Sequence, residues 1–171
     1  MPQSIMAEIA MPLRNKVKKM RIGILSDTHN LLRAEVLESM KHCEVVLHAG
    51  DVCNEEILAQ LSQYSKVIAV RGNNDTGAWA DRLNEEESFE LNGFRFFMKH
   101  TWLNLPSIAD TADFIIVGHS HKYYCEQQGK QWIINPGSCG RRRFNYPLTW
   151  IVLVCDQGQW TIERHEIKLE A

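Results

Sequence analysis

The chain has 171 residues, of which 44% are hydrophobic and 23% are charged, and its formal net charge is −2. These values are ordinary for one soluble globular domain with a sizeable core. The small negative charge gives no overall attraction to nucleic acid and disfavours it as a partner. No apolar run approaches the roughly 18 residues of a membrane span, so no membrane association is expected. Five widely spaced cysteines without a CxxC pair favour reduced thiols and a cytoplasmic location.

Residues 1–20 are predicted to be a basic N-terminal extension, and residues 21–171 a single domain. The extension is rich in lysine and arginine and contains one acidic residue, Glu8. Its apolar stretch is short and broken, so a frayed, disordered leader is favoured over a targeting peptide. In that interpretation Met20 is the natural start.

The first half of the domain alternates buried strands with amphipathic helices. Short apolar runs at 22–25, 43–47 and 66–70 predict strands without polar alternation. Apolar residues at helical spacing predict helices within 30–41 and at 55–64, the second capped by Asn54. A β-α-β-α-β order with short crossovers indicates parallel strands with helices packed over the sheet.

The second half is predicted to be mostly antiparallel. Asn92-Gly93 between two apolar segments is a strong hairpin signal. A short helix with a proline near its start is predicted at 105–110. Five further strands are predicted at 114–117, 123–127, 131–135, 149–155 and 160–166. The predicted fold class is therefore α/β, an α+β sandwich: two mixed β-sheets packed face to face and flanked by helices.

Side chains that can bind metal follow several of these strands. The candidates are Asp27, His29, Asp51, Asn73, His100, His119 and His121. A mixed nitrogen and oxygen set suits Mn, Fe or Zn better than Ca or Mg. Seven donors exceed the needs of one ordinary site and suit two cations that share a carboxylate such as Asp51. Two such cations hold a bridging hydroxide and clamp an in-line displacement at phosphorus.

The spacing of these residues supports a compact site. Residues i and i+2 of an extended backbone point to the same side, so Asp27 with His29, and His119 with His121, are predicted to present paired donors. Asp51, Asn73 and His119 each directly follow a glycine, which allows a tight turn and a close backbone approach.

The order of these blocks resembles the calcineurin-like metallophosphoesterase family. The blocks are Asp27-Thr28-His29, Gly50-Asp51, Gly72-Asn73, His100, Gly118-His119-Ser120-His121 and Asn135-Pro136-Gly137-Ser138. Their order and the short chain are most similar to the small bacterial and archaeal phosphodiesterase branch. The resemblance covers the chain from about residue 21 to its end.

The resemblance implies a dinuclear centre with divided ligands. It implies Asp27, His29 and His121 as ligands of a first metal. Asn73, His100 and His119 are implied for a second, with Asp51 as the bridge. It implies two divalent metal ions, Mn above Fe, Ni or Zn, and a homodimer or homotetramer.

The sequence departs from the family pattern at three places. Asn74 stands where many members carry a histidine that protonates the leaving group, and an amide cannot act as a general acid. Thr101 stands where glycine is usual after His100. Arg141, Arg142 and Arg143 replace a proline-containing stretch, and an arginine fork matches phosphate oxygens. Asn74, Arg141 and Arg143 are the predicted substrate contacts.

The predicted function is metal-dependent hydrolysis of a small phosphodiester by a metal-bridging hydroxide. Asp51, Asn73 and His119 are its predicted catalytic residues. Two alternatives stay open: phosphomonoester or nucleotide hydrolysis at the same centre, and a non-catalytic protein-binding scaffold that resembles the small retromer subunit. The complete donor set favours the enzyme. Three further roles are left open. His48 is either an outer partner of the site or a structural residue, and Asp75 either orients Asn73 or His29 or caps a loop. Trp79 and Trp102 are either core residues or a wall against an aryl or nucleobase group.

Overall fold

The structure, a computed structural model, describes residues 18–169, so the predicted basic extension lies almost wholly outside the described residues. Ten strands form two five-stranded sheets with the orders β10-β9-β1-β2-β3 and β4-β5-β6-β8-β7. The strands are β1 (Met20–Leu25), β2 (Val45–His48), β3 (Lys66–Ala69), β4 (Glu86–Leu91), β5 (Phe94–Lys99), β6 (Phe114–Ile116), β7 (Tyr124–Gln128), β8 (Gln131–Asn135), β9 (Leu148–Asp156) and β10 (Gln159–Ile167).

The helices are short and lie on the outer faces of the sheets. They are α1 (Ala34–Met40), α2 (Glu55–Ser62), α3 (Ala78–Asp81) and a 3₁₀ helix (Ser107–Thr111). The Asn54 side chain accepts a hydrogen bond of 2.9 Å from the Glu56 N–H, which confirms the predicted cap of α2. The four-residue α3 was not predicted, because it is too short to show a periodic pattern.

Alternating side chains divide the interior into three apolar layers. Ile22 and Ile24 of β1 face the second sheet and pack with Phe96, Phe114 and Ile134. The opposite face of the first sheet packs against α1 and α2. The outer face of the second sheet packs against the 3₁₀ helix. This arrangement confirms the predicted sandwich of two mixed sheets flanked by helices.

The pairing of the second half differs from the prediction in one respect. The hairpin at Asn92-Gly93 is present and joins β4 to β5, and β1, β2 and β3 are parallel as predicted. However, β6 pairs in parallel with both β5 and β8, and β9 joins the first sheet beside β1. The antiparallel pairs β4–β5, β7–β8 and β9–β10 are present as predicted. The two parallel pairs of β6 were not predicted, because short apolar strands carry no signal for the direction of their neighbours.

Within residues 18–169, none of the helices has both the length and the apolar character needed to cross a bilayer.

Candidate metal centre

A first group of donors joins the end of β1 to the loop after β6. One ligand atom each from Asp27, His29 and His121 lies within 4.8 Å of the other two, and all three residues are buried. The Nε2 atoms of His29 and His121 are 3.2 Å apart. Asp27 Oδ1 lies 3.6 Å from His29 Nε2 and 3.3 Å from His121 Nε2. Three electron-donating atoms from two loops therefore converge on one point.

The two oxygens of Asp27 have different surroundings. Oδ2 accepts hydrogen bonds from the Ser26 hydroxyl (2.6 Å) and the His119 backbone N–H (3.0 Å). Oδ1 is buried and has no hydrogen-bond partner among the described residues. Burial alone would raise the pKa of Asp27, but interactions with His121 and His29 outweigh it and hold that pKa well below its usual range. A buried carboxylate oxygen without a donor fits a cation, since an unpaired buried charge is costly.

A second group lies beside the first, at the ends of β2, β3, β5 and β6. Ligand atoms of Asp51, His100 and His119 lie within 4.8 Å of one another. Asn73 Oδ1 joins them, at 3.0 Å from His100 Nε2 and 3.1 Å from His119 Nδ1. His119 and Asn73 are the exposed members of this group, whereas Asp51 and His100 are buried.

The ring of His100 shows that this second group also fits a cation. Its Nδ1 lies 2.7 Å from the Ala49 carbonyl oxygen, which can only accept, so Nδ1 carries the proton. In the neutral ring Nε2 then points a lone pair at two oxygens, Asn73 Oδ1 at 3.0 Å and Asp51 Oδ2 at 3.3 Å. Burial lowers the pKa of His100, but the contact with Asp51 outweighs it and the pKa is raised. Positive charge, on the ring or on a metal, satisfies this arrangement.

Asp51 lies between the two groups. Its Oδ2 is 3.6 Å from His29 Nε2 of the first group and 3.3 Å from His100 Nε2 of the second. Burial opposes ionisation, but the contacts with His100 and the Asn74 N–H lower the pKa of Asp51 to about 2. One ionised carboxylate can therefore serve both groups. All seven predicted ligands are thus brought together.

The backbone that presents these donors differs from the expected one. The predicted extended geometry for the i and i+2 pairs was wrong. Asp27 and His29 have φ of 54° and 44°, and His119 and His121 have φ of 70° and 60°. Asp51 also lies in the left-handed region, at 56°. Asp and His tolerate this region better than most residues, but each such residue still carries strain that the surrounding structure must support.

Two glycines allow the donor loops to approach one another closely. A Cβ on Gly72 would overlap the backbone nitrogen and side chain of Asp51, and one on Gly118 would overlap the Ser26 side chain. Both positions therefore require glycine because of the neighbouring loop. This explains the glycines before Asn73 and His119 that the sequence singled out.

Asn74 and Asp75 hold Asp51 in place. The backbone N–H and the side-chain amide of Asn74 each donate 2.8 Å hydrogen bonds to the Asp51 carboxylate. The buried Asp75 carboxylate accepts from the backbone N–H groups of Asp51 (2.9 Å), Cys53 (2.7 Å) and Gly72 (2.7 Å). Asp75 thus caps the loops after β2 and β3. The predicted contact between Asn74 and substrate stays a prediction.

His48 forms hydrogen bonds to two loops of the centre, and these bonds define its tautomer. The Gly50 N–H donates to His48 Nδ1 (3.2 Å), so Nε2 carries the proton and faces Thr28 Oγ1 at 3.1 Å. The Thr28 hydroxyl in turn donates to the Val52 carbonyl (3.2 Å). Complete burial is the main reason why the pKa of His48 falls to about 4. This position fits its predicted role as an outer partner.

The low pKa of His48 predicts an acid-dependent loss of stability. In the unfolded chain the imidazole of His48 binds a proton near pH 6.5, whereas in the folded protein it does so only near pH 4. The contribution of His48 is therefore full above pH 6.5 and is lost as pH falls toward 4. Between pH 7 and 4.5 the free energy of unfolding should fall by about 2 kcal/mol less in the metal-free His48→Gln protein than in the parent. Urea unfolding at both pH values measures this loss, and exposed His42→Gln is the control. Equal losses in parent and His48→Gln would contradict the assignment.

The segment after β8 supports the same loops. Asn135 Nδ2 donates to the Gly118 carbonyl (2.9 Å), and Ser138 Oγ donates to the Asp27 carbonyl (2.9 Å). Further on, Arg141 Nε donates to the His29 carbonyl (3.1 Å), which anchors this exposed arginine at the site. Arg143 is exposed in the same loop. The predicted phosphate contacts of Arg141 and Arg143 stay predictions.

Sequence reasoning missed several residues of the site. Ser26 binds Asp27, Cys53 Sγ lies 3.7 Å from His29 Nδ1, and the ring of Phe144 stands edge-on to His121 at 5.9 Å. Phe144 is 72% exposed. The only available signal was proximity along the chain, since Ser26 directly precedes Asp27 and Cys53 lies two residues after Asp51. Phe144 had no such signal.

Comparisons with known proteins agree with this geometry. Residues 20–158 match the family model described as the Calcineurin-like phosphoesterase superfamily domain. A protein named as a phosphodiesterase from Methanocaldococcus jannaschii is 30% identical over 70% of this chain and 84% of its own length. The phosphodiesterase YfcE of Escherichia coli is 28% identical over 78% of this chain and 87% of its own length.

A solved structure of low sequence identity has the same fold. The vacuolar protein sorting 29 protein of Cryptosporidium parvum superposes with a TM-score of 0.72 over 88% of this chain and 99% of its own. Its sequence identity is 16%, so this likeness shows the fold alone.

Proposed function

The chain belongs to the calcineurin-like phosphoesterase superfamily, and from that membership and its two donor groups we propose that it is a metal-dependent phosphodiesterase with a dinuclear centre. The observation that carries the proposal is the position of Asp51 Oδ2, 3.6 Å from His29 Nε2 and 3.3 Å from His100 Nε2. One carboxylate between two complete donor groups suits a shared ligand.

The residues divide into two sets of ligands. Asp27, His29 and His121 would hold one cation, and Asn73, His100 and His119 the other, with Asp51 between them. Two divalent cations, if bound by these residues, would supply a hydroxide nucleophile near neutral pH and would neutralise charge on the phosphoryl oxygens. The nitrogen and oxygen donors suit Mn, and also Fe, Ni or Zn.

The remaining chemistry belongs to side chains of this protein. His119 is exposed at the mouth of the centre, where its imidazole can contact a phosphoryl oxygen. Arg141 keeps its terminal guanidinium nitrogens free of the His29 carbonyl, which Nε occupies, and they can donate to the same phosphoryl group. Asn74 fixes the Asp51 carboxylate and offers no proton, so water or another group protonates the leaving alkoxide. A small phosphodiester with a good leaving group is the substrate that this arrangement favours.

Two alternatives remain distinct from this proposal. A phosphomonoester could use the same donors, and a scaffold would need none of them. The complete donor set, with its unpaired Asp27 Oδ1, favours the enzyme over the scaffold. The unpaired thiols of all five cysteines support a reducing, cytoplasmic compartment. A homodimer or homotetramer is proposed from the family branch.

The proposed function predicts that hydrolysis depends on added metal. Protein treated with a chelator should lose at least about 100-fold of its turnover of bis-p-nitrophenyl phosphate, and Mn should restore it, because the donors alone do not activate water. p-Nitrophenyl phosphate measured in parallel tests the monoester alternative, and refilling with Fe, Ni or Zn tests the metal. Absence of turnover with every metal, despite metal bound, would contradict the proposal and favour the scaffold.

A further inference from the structure

A cavity of about 400 Å³ adjoins the second donor group. Its walls are mainly apolar, and His119 belongs both to these walls and to the donor group. The lining includes Thr101, Trp102, Val117, His119, Tyr124 and Ile133. A concave, largely apolar cavity beside convergent polar groups has the character of a small-molecule site.

The outer wall of this cavity exposes apolar surface to water. Trp102 is 45% exposed and the adjacent Leu103 is 70% exposed. Two large apolar side chains exposed in succession on a loop form an apolar surface that a ligand could cover. The floor is formed by Val117 and Ile133, which are buried in the apolar layer against the 3₁₀ helix. The cavity therefore offers a firm apolar floor and an exposed aromatic wall.

The backbone ties this wall to the donor group. The Gly118 N–H donates to the His100 carbonyl (3.0 Å), which joins the loop of Trp102 to the loop of His119. Lys99 Nζ donates to the Asn104 carbonyl (3.1 Å) and closes the loop from its other end. A ligand in the cavity would thus lie at a fixed distance from the donors, as an ester arm of a bound phosphodiester must.

We propose that this cavity binds a flat aromatic arm, aryl or nucleobase, of the phosphodiester substrate. The inference rests on the proposed function and deepens it. The indole of Trp102 and the ring of Tyr124 can stack with or edge onto such an arm. Lys122 and Gln128 also line the cavity and are exposed, so they can meet polar edges of the ring or a phosphoryl oxygen.

A neighbouring side of the centre differs in chemistry. A second cavity of about 390 Å³ is lined by Arg71, Asn73, Glu85, Lys99 and His100, and its walls are polar. Thr101 lines both cavities and stands between them. The two arms of a diester would therefore meet unlike walls, and the aromatic arm prefers the side of Trp102.

The size of the cavity favours a small ring over a protein partner. A protein partner needs a broad contact area, about 800 Å² from each side, whereas a partly open cavity of about 400 Å³ suits one drug-sized group. An aromatic ring bound in the cavity would also lie within reach of a phosphoryl group at His119, because His119 itself lines the cavity.

Calorimetric titration of the Mn-loaded protein tests the inference by binding. The first pair of ligands is phenylphosphonate and methylphosphonate, which share the phosphonate and differ in the ring. The second pair is thymidine 5′-monophosphate and ribose 5-phosphate, which differ in the base. We expect the aromatic member of at least one pair to bind about tenfold more tightly, equal to about 1.4 kcal/mol. Tighter binding of phenylphosphonate would indicate an aryl arm, and tighter binding of thymidine 5′-monophosphate would indicate a nucleobase.

Three variants test whether the preference for the aromatic ligand arises at Trp102. Trp102→Ala should reduce it to within about twofold, whereas Trp102→Phe, which keeps an aromatic wall, should retain most of it. Tyr64→Ala removes an aromatic side chain that is 49% exposed outside the cavity and should leave the preference intact.

The outcomes separate this inference from the proposed function. Equal affinities within both pairs, in protein that hydrolyses bis-p-nitrophenyl phosphate, would overturn the inference alone and favour a macromolecular partner for Trp102. A preference that survives in Trp102→Ala would also overturn it. An aromatic preference lost in Trp102→Ala, in protein without turnover, would support the cavity and count against the proposed function.

Discussion

Replacing Asp51 by asparagine should reduce diester turnover by at least about 1,000-fold, about 4 kcal/mol of transition-state stabilisation. The reason is the position of Oδ2 between His29 and His100. Asparagine has nearly the same shape but no charge, and it offers one oxygen where the carboxylate offers two. The two donor groups would then lose their shared anion. Steady-state kinetics with bis-p-nitrophenyl phosphate at saturating Mn measures the effect.

A matched control and two further measurements make the result specific. Asp110→Asn changes an exposed aspartate on the 3₁₀ helix and should keep parental turnover. Thermal unfolding of metal-free Asp51→Asn should remain cooperative, because the substitution retains the volume of the side chain. Metal analysis should give fewer ions bound in Asp51→Asn than in the parent. A variant with full metal content and parental turnover would refute the shared role of Asp51.

Replacing Asp75 by alanine should destabilise the metal-free protein by about 3 kcal/mol or more. Its carboxylate accepts backbone hydrogen bonds from Asp51, Cys53 and Gly72. Alanine would leave these N–H groups without their acceptor in a region where Asp75 is 1% exposed, and each unsatisfied buried donor costs about 1–3 kcal/mol. For a domain of this size the melting temperature should fall by roughly 6–12 °C.

Chelated protein is the right sample for this measurement, because lost metal binding would otherwise add to the change. Asp81→Ala is a suitable comparison, since Asp81 forms an exposed ion pair of 3.1 Å with Arg71 and should cost less than about 1 kcal/mol. Asp75→Asn should lie between the two, because its amide keeps one acceptor oxygen and turns a donor toward the remaining N–H groups. A melting temperature of Asp75→Ala within 2 °C of the parent would show, contrary to expectation, that the loops hold together without this cap.

The fold illustrates what periodicity alone predicts. Buried runs such as residues 22–25 and the Asn92-Gly93 turn identified strands and a hairpin because side-chain alternation and turn chemistry are local properties. The direction of β6 relative to β5 and β8 was not predictable in that way, because pairing direction depends on partners distant in the chain.

The candidate site shows the same division. The amino-acid sequence by itself determined the donor types and their order, and it predicted all seven side chains that the structure brings together, Asn73 included. Their use as metal ligands stays a prediction. Local sequence could identify them because donor chemistry is a property of the residue.

Only the tertiary structure decided how those donors are held. The left-handed backbone at Asp27, His29 and His119 replaced the extended geometry expected from spacing, because contacts between loops, and not local preference, stabilise that conformation. The Asp75 cap and the cavity beside Trp102 also arise between segments far apart in sequence. Hydrogen-bond partners and cavity walls are properties of the packed chain, and no single stretch of sequence contains them.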